Sequence, residues 1–416
     1  MQLDPFAMAF IGSTSLLLFF LESFVHAISY AVQVYSARET TTQSSYTIVF
    51  HGLILSILFS IPVCVWMYFS AAELLLKFSA IPSLSAHHQT YLALQTCSFF
   101  CHSIILLFRG FFSGQRRNDL FFKVIFVLVS SQIILNLAFV SGYLGNLFHP
   151  LTSIGIADCL AKLFGLLYYA VCFWRGCQHD NALLPRFSLP LLLKISFFVY
   201  PLYAFSVLDH YATISLYKLA NGTLDTTGYQ SLHIVFSVLG CLPGMGFGLA
   251  AISPVSFHFG QKQYARAYDA ILRFSLLGGL CMLSVSLLGI LCMPTVITSF
   301  IKDIDLASRA YTSMQIMLMT AGVHVACQVS MRSMQALDQT RLCTRINLIV
   351  VYACRLLLGA FWYFEYHIDI HHIFIALFIE KMLKLSWMQV YMYKYLRHMA
   401  RDQSDALSPS PMVNKS

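Results

Sequence analysis

LLFRGFFSGQRRNDLF, residues 106–121, leaves an apolar run through Arg109 and Gly110 and turns in a cluster of basic and amide side chains. VSMRSMQALDQTRLCTR, residues 329–345, does the same in the second half of the chain. A second pair stands earlier in each half. AVQVYSARETTTQSSY (31–46) follows the first apolar run, and PVSFHFGQKQYARAY (254–268) follows the seventh. Each of these passes from small apolar residues into a polar segment carrying a basic residue. Order and spacing agree in the two halves, so the chain reads as a parallel repeat of two bundles.

The runs around these segments are long. A hydrocarbon core of about 30 Å needs about 20 apolar residues per helix. Eleven runs satisfy this, near 7–34, 46–70, 88–112, 119–142, 150–174, 188–218, 229–257, 268–300, 309–335, 342–364 and 370–395. The polar stretch RGCQHDNALLPRF (175–187) separates five runs from six. The expected organisation is an N-terminal helical lobe over 1–174, a cytoplasmic linker over 175–187, a C-terminal helical lobe over 188–395, and a tail over 396–416. The tail is polar and rich in Pro and Ser, with too little apolar surface to fold alone, and is expected to be disordered. The expected fold class is an all-α polytopic membrane protein of two pseudo-symmetric helical bundles.

Composition supports this and excludes other classes. Of 416 residues, 58% are hydrophobic and only 11% charged, against about 25% charged in soluble domains. Mean hydropathy is +0.70. The formal charge of +8 sits in short loops between apolar runs, so it does not point to nucleic acid. Twelve cysteines are scattered without a CxxC pair, which argues for apolar packing and against a metal site. No nucleotide-binding loop, nucleophile motif or metal-ligand spacing is present, so neither an enzyme nor an ATP-driven pump is expected. The start, MQLDP, lacks the positive charge of a cleavable signal peptide, so the first run is expected to stay in the mature protein.

Loop charge sets an expected orientation. One alternate set of loops holds Arg38, then Arg116, Arg117 and Lys123, then Arg175, Arg186 and Lys194, then Lys262, Arg266 and Arg273, then Arg341 and Arg345. The other set has only Lys77, Lys218, Lys302 and Arg309. The richer set is cytoplasmic, which with eleven spans places the N-terminus outside and the C-terminus inside.

Ionisable residues inside the runs are the candidate functional groups, because a charge at the centre of a membrane helix costs roughly 2.5–3.5 kcal/mol on insertion scales. YPLYAFSVLDHYATISLY (200–217) carries Asp209 and His210 at its centre, after Pro201. Burial disfavours a charged carboxylate, so Asp209 is a candidate for binding and releasing a coupling proton. The competing reading pairs it structurally with His210 or His324. His324, in MTAGVHVACQVS, can carry protons near neutral pH. Glu22 and His26 are four residues apart on one helix face and are candidates for the same task. Gln132, Asn136 and His210 are candidates for lining a polar cavity. Asp158 with Lys162, and Glu380 with Lys384, have the spacing of structural ion pairs. Arg109 reads as a side chain snorkelling to headgroups at the cytoplasmic end of its helix, with Gly110 permitting a tight turn.

FRGFFSGQRRND resembles the LRGxxxGxGDTR-like segment of the multidrug and toxic compound extrusion (MATE) transporters. QVYSA (33–37) resembles their QxxGA helix exit, with Ser36 in place of Gly. GLAAISPVSFHFGQKQYARA (248–267) resembles the second-half exit, QALDQTR (335–341) the second-half RGxGQTR turn, and SIGIADCLA (153–161) the start of the family's sixth helix. The similarity runs from residue 1 to about 395.

The resemblance implies two lobes around a central cavity that rock to alternate access. It also implies export of cationic or amphiphilic drugs in exchange for H+ or Na+, in a bacterial inner membrane. The lipid bilayer and a small organic cation or amphiphile are then the expected partners. No further cofactor, nucleic acid or obligate protein partner is expected. The first run matches the family's second helix, so the family's first helix is expected to be absent. Asn136 matches the asparagine of the family's first-lobe cation site, and Val140 stands where its acid belongs. Asp209 and His324 fall where members carry acids in the second lobe. The same wider superfamily also contains lipid-linked oligosaccharide flippases, for which Lys162, Arg332, Arg355 and Lys384 would be the pyrophosphate-binding candidates. A degenerate, non-transporting relative is the third reading.

Overall fold

In hydrocarbon no water is present to satisfy a backbone N–H or C=O, so a spanning segment has to bond within itself. The computed structural model of the chain follows that rule. It describes residues 5–39, 42–78, 85–140, 149–180, 187–220, 246–300, 304–357, 359–360, 364 and 370–407. Eleven helices cover nearly all of them, and no strand occurs among the described residues. In chain order these are α1 (Pro5–Arg38), α2 (Thr42–Phe78), α3 (Ala86–Gly114), α4 (Asn118–Val140), α5 (Pro150–His179) and α6 (Leu189–Ala220). They continue with α7 (246–260), α8 (Tyr264–Phe300), α9 (Ile304–Ala336), α10 (Thr340–Val351) and α11 (Ile370–Leu407). α10 runs on into a π-helical turn, Tyr352–Leu357. Among the described residues, six helices contain a stretch long and apolar enough to cross a bilayer.

The chain divides into two compact units, Met1–Val207 and Leu208–Ser416. The first part of α6 therefore packs in the first unit, although the sequence reading starts the second lobe at 188. Aromatic contacts account for this: Phe198 meets Tyr35 at 5.6 Å between ring centroids, and Tyr203 meets Phe24 at 5.1 Å. At the start of α6 the Ser188 amide donates to His51 Nε2 at 2.8 Å. Nearby, Tyr46 donates to Asp180 Oδ2 at 2.9 Å and ties α2 to the end of α5. The His179 and Tyr46 hydrogen bonds hold the Asp180 carboxyl below its usual range. The expected tail boundary also moves. α11 continues to Leu407, held by Tyr391 stacked on Tyr395, by Arg397 donating to the Tyr393 hydroxyl, and by His398 beside Asp402. Residues 408–416 lie outside the described residues.

In the first unit α3 packs against α1, α2 and α5. The contact with α1 is backbone-close. A Cβ on Gly110 would lie 2.2 Å from the Ser29 carbonyl oxygen, and one on Gly114 would lie 2.8 Å from that of Gln33. Ser29 closes the approach by donating to the Leu106 carbonyl at 2.6 Å. The reading of Gly110 as a turn residue is therefore corrected: α3 continues through it to Gly114, and the glycine serves helix contact. Arg109 is likewise not a snorkelling terminus, because one turn of helix follows it and its guanidinium reaches His26 at 3.2 Å. In the second unit α8 and α9 approach through Gly279 and Gly322, where a Cβ on Gly322 would lie 3.0 Å from the Gly279 carbonyl oxygen.

The repeat appears in the backbone of the turns. After α3 the Arg117 amide bonds to the Phe112 carbonyl and the Arg116 amide to that of Ser113. After α7 Gln263 bonds to His258 and Lys262 to Phe259, and after α9 Gln339 bonds to Met334 and Asp338 to Gln335. All three are the same Schellman closure. Its left-handed position is filled by Arg116 (φ 63), Lys262 (φ 57) and Asp338 (φ 63) where glycine is usual. A side chain there costs roughly 1–2 kcal/mol. Lys262→Gly is therefore expected to raise the thermal midpoint of the purified protein. Gly110→Ala is expected to lower stability by about 1–3 kcal/mol through overpacking, read in the same melting experiment.

Candidate functional site

Two clusters of ionisable side chains lie within the helices, one in each unit. The first gathers on α1, α3, α4 and α5. Glu22 and His26 are one turn apart on α1, as their spacing predicts. Both face α3: Glu22 Oε1 lies 3.7 Å from His102 Nε2, and Arg109 contacts His26 Nδ1 at 3.2 Å. The guanidinium has no acceptor, so Nδ1 of His26 accepts and a neutral ring carries its proton on Nε2. On α5 Asp158 collects three partners. Lys162 pairs with it at 3.1 Å, Ser98 donates at 2.5 Å, and Gln132 donates from α4 at 3.4 Å. The charges of Lys162, Asp158 and Arg109 all act on Glu22. Gln132 thus joins this cluster, and the Asp158–Lys162 pair forms as its spacing predicts. Asn136 does not join: its Oδ1 is buried without a hydrogen-bond partner among the described residues.

Glu22, His26 and His102 each present a ligand atom within 4.8 Å of the others, a spacing that would admit a metal ion. The guanidinium on His26 puts a full positive charge beside that position and disfavours a divalent cation there. A proton is better suited, since the acid and the neutral imidazole can each accept one and neither needs further ligands.

The second cluster belongs to α6, α9, the π-helical turn and α11. Its hub is Glu380, which is fully buried. Arg355 grips both of its oxygens, through Nε on Oε2 and through NH2 on Oε1 at 3.2 Å. Lys384, one turn on, reaches Oε1 at 2.6 Å and Lys381 reaches it at 3.2 Å. Arg355 also pairs with Asp209: NH2 lies 2.9 Å from Oδ1, and NH1 donates to the Asp209 carbonyl at 3.2 Å. The structural reading of Asp209 named His210 or His324 as partner. The structure gives it Arg355, across the unit from a stretch remote in sequence. Arg355 lies in the π-helical turn and is almost fully buried. His324 on α9 lies within range of the charges of Lys381, Glu380, Lys384 and Asp209. His210 lies on α6, and its side chain is outside the described residues.

Sequence reasoning missed His102, Arg109 as an interior group, Arg355 as the partner of Asp209, and Lys381. His102 carried the same signal as His324, an imidazole in the middle of an apolar run. Arg355 also stands inside an apolar run, but its pairing with Asp209 carried no local signal, because its partners lie on other helices.

The sequence model of the MatE family matches residues 1–138 and 193–361. No curated protein sequence matches the chain. Among solved structures, a MOP superfamily transporter from Pyrococcus furiosus, described as having a binding pocket of reverse polarity that suggests a different function, aligns with TM-score 0.83 at 13% identity. That alignment covers 94% of this chain and 88% of the other. An outward-facing multidrug resistance MATE family transporter of the same superfamily aligns with equal score, identity and coverage. A MATE transporter in the bent conformation aligns with TM-score 0.81 at 13% identity, over 96% of this chain and 90% of the other. At such identity the likeness establishes the fold.

Removing one partner of a buried ion pair typically costs about 3–5 kcal/mol. Glu380→Gln, which strips the shared carboxylate from three cations, is expected to destabilise by that order. Asp209→Asn is expected to cost less, because Arg355 keeps its grip on Glu380. Melting temperatures in detergent, compared with wild type, check both.

Proposed function

Because this chain belongs to the MatE family, we propose that it is a secondary active antiporter. It exports cationic or amphiphilic compounds in exchange for H+ by alternating access. The observation that carries the coupling reading is the Glu22–His102 contact of 3.7 Å between α1 and α3, with His26 and Arg109 beside it. Each neighbour has a role. A proton on Glu22 removes its negative charge and leaves Arg109 and Lys162 less compensated. A proton on His102 creates an ion pair with Glu22. Either change alters the electrostatic balance between α1 and α3, so the protonation state can bias which way the first unit packs. One carboxylate and two imidazoles are groups that accept a proton, which suits H+ better than Na+ as the coupling ion. Sodium prefers oxygen ligands, and only Glu22 offers oxygens within the triad.

Asp209 and His324 remain in this reading as groups of the second unit that orient the Arg355–Glu380 assembly. Asn136, Gln132 and His210 are proposed to line the polar path. The loop charges support a plasma-membrane protein with its N-terminus outside and C-terminus inside. A flippase for lipid-linked oligosaccharides is less well supported. Of its basic candidates, Lys162 is held by Asp158, Arg332 donates to Gln335, and Arg355 and Lys384 are held by Glu380. A pyrophosphate would have to displace several of these contacts.

The test is ethidium efflux from proteoliposomes under an imposed pH gradient. Glu22→Gln is expected to reduce gradient-driven efflux by about ten-fold or more, in the range seen for removal of a proton-transfer group. Asp209→Asn should retain most of it. Loss of coupling in Asp209→Asn with normal coupling in Glu22→Gln would move the proton site to the second unit. Failure of the folded wild type to move ethidium under any gradient would overturn the antiport reading.

A further inference from the structure

The cysteines are scattered in the sequence, but the fold draws several of them together in the first unit. Cys97 and Cys101 stand one turn apart on α3, and Cys159 stands on α5. Cys97 is within hydrogen-bonding reach of both. The register that brings Cys97 to Cys159 is fixed by their neighbours in the chain. Ser98 donates to Asp158 at 2.5 Å, and a Cβ on Gly155 would lie 3.1 Å from Tyr91 and from Leu94. On α2, Cys64 donates at 3.6 Å to the carbonyl of Thr96, the residue before Cys97. All four are free thiols, with Cys97 exposed on the helix surface, Cys159 half-buried and Cys101 buried. A cysteine used as a small apolar residue needs no second thiol beside it. A thiol pair contributed by two helices has the make-up of a chelate.

Low dielectric decides which ligand suits the pair. The thiolate is the form that binds metal, so each bond formed releases a proton. Two thiolates neutralise one divalent cation, and the neutral product places no net charge in hydrocarbon. A monovalent cation would leave the site anionic, which burial disfavours. Zinc takes four ligands, more than the pair supplies, and thiolate sulfur selects soft cations. We infer that Cys97 and Cys159 form a two-thiol site bridging α3 and α5 for a soft divalent cation that accepts two collinear sulfur ligands, the mercuric class. The step balances as HgCl2 plus two R–SH giving Hg(SR)2, two H+ and two Cl−. Both S–H bonds break, two Hg–S bonds form, and no electron is transferred. Exposed Cys97 is the entry thiol, and Cys159 closes the chelate. The inference concerns metal binding and is independent of the coupling ion and of the exported compound.

The test is mercury retention by the full-length protein in phosphatidylcholine nanodiscs, loaded with one equivalent of HgCl2 and challenged with rising glutathione. A chelating pair resists a monodentate thiol through its effective concentration. Wild type is therefore expected to need about 100-fold more glutathione for half release than Cys97→Ser or Cys159→Ser. Cys97→Ala and Cys159→Ala are expected to match the serine variants, which separates lost ligation from a misplaced hydroxyl. Cys281→Ser, which removes an exposed thiol of the second unit, is expected to behave as wild type. X-ray absorption of the loaded wild type is expected to show two sulfur neighbours per mercury. Melting temperatures of the metal-free variants near that of wild type separate lost binding from lost folding. Half release at the same glutathione concentration in wild type, Cys97→Ser and Cys159→Ser would overturn the site. So would retention unchanged in Cys159→Ser but lost in Cys97→Ser and Cys101→Ser, which would place the metal on α3 alone.

Discussion

Glu380 is the residue on which the second unit turns. It has no exposed surface and holds three cations by a single carboxylate. A charge placed in low dielectric is tolerable only when it is paired and its remaining hydrogen-bonding capacity is met. That requirement gathers α11, the π-helical turn and α6 around one point. The same rule shapes the first unit, where Asp158 gathers α3, α4 and α5 through Ser98, Gln132 and Lys162. Between apolar helices the hydrophobic effect adds little in a bilayer, so polar contacts and close backbone approach supply much of the specificity. The glycine contacts of α3 with α1 and of α9 with α8 are the second device.

The two clusters differ in ways that bear on function. The first contains two imidazoles, and its acid Glu22 stands near one of them at a distance longer than a hydrogen bond. The second is dominated by lysine and arginine gripping carboxylates at short range. Asp209 is thus one member of a charged cluster rather than an isolated acid.

Local pairs were legible in the residues and distant ones were not. Asp158 with Lys162 and Glu380 with Lys384 follow from four-residue spacing, since helix geometry puts such residues side by side. The repeat was legible for a related reason. The paired segments 106–121 and 329–345 turn with the same hydrogen bonds, despite glycine being absent from the left-handed position in both. Gly110 was misread because a glycine near a basic turn looks like a helix stop. Only the Ser29 carbonyl, lying where its Cβ would go, identifies it as a contact residue. The pairing of Asp209 with Arg355 could not be read at all.

The amino-acid sequence by itself determined the membrane-spanning helices, their order and the twofold repetition. These follow from apolar run length and from turn chemistry, both properties of neighbouring residues. The tertiary structure alone decided which charges meet: His102 with Glu22, Arg109 with His26, Arg355 with Asp209 and Glu380. Those contacts join helices far apart in the chain. Their identity depends on how each helix is rotated and how closely it approaches its neighbours, which is set by small residues and buried charge rather than by any local pattern.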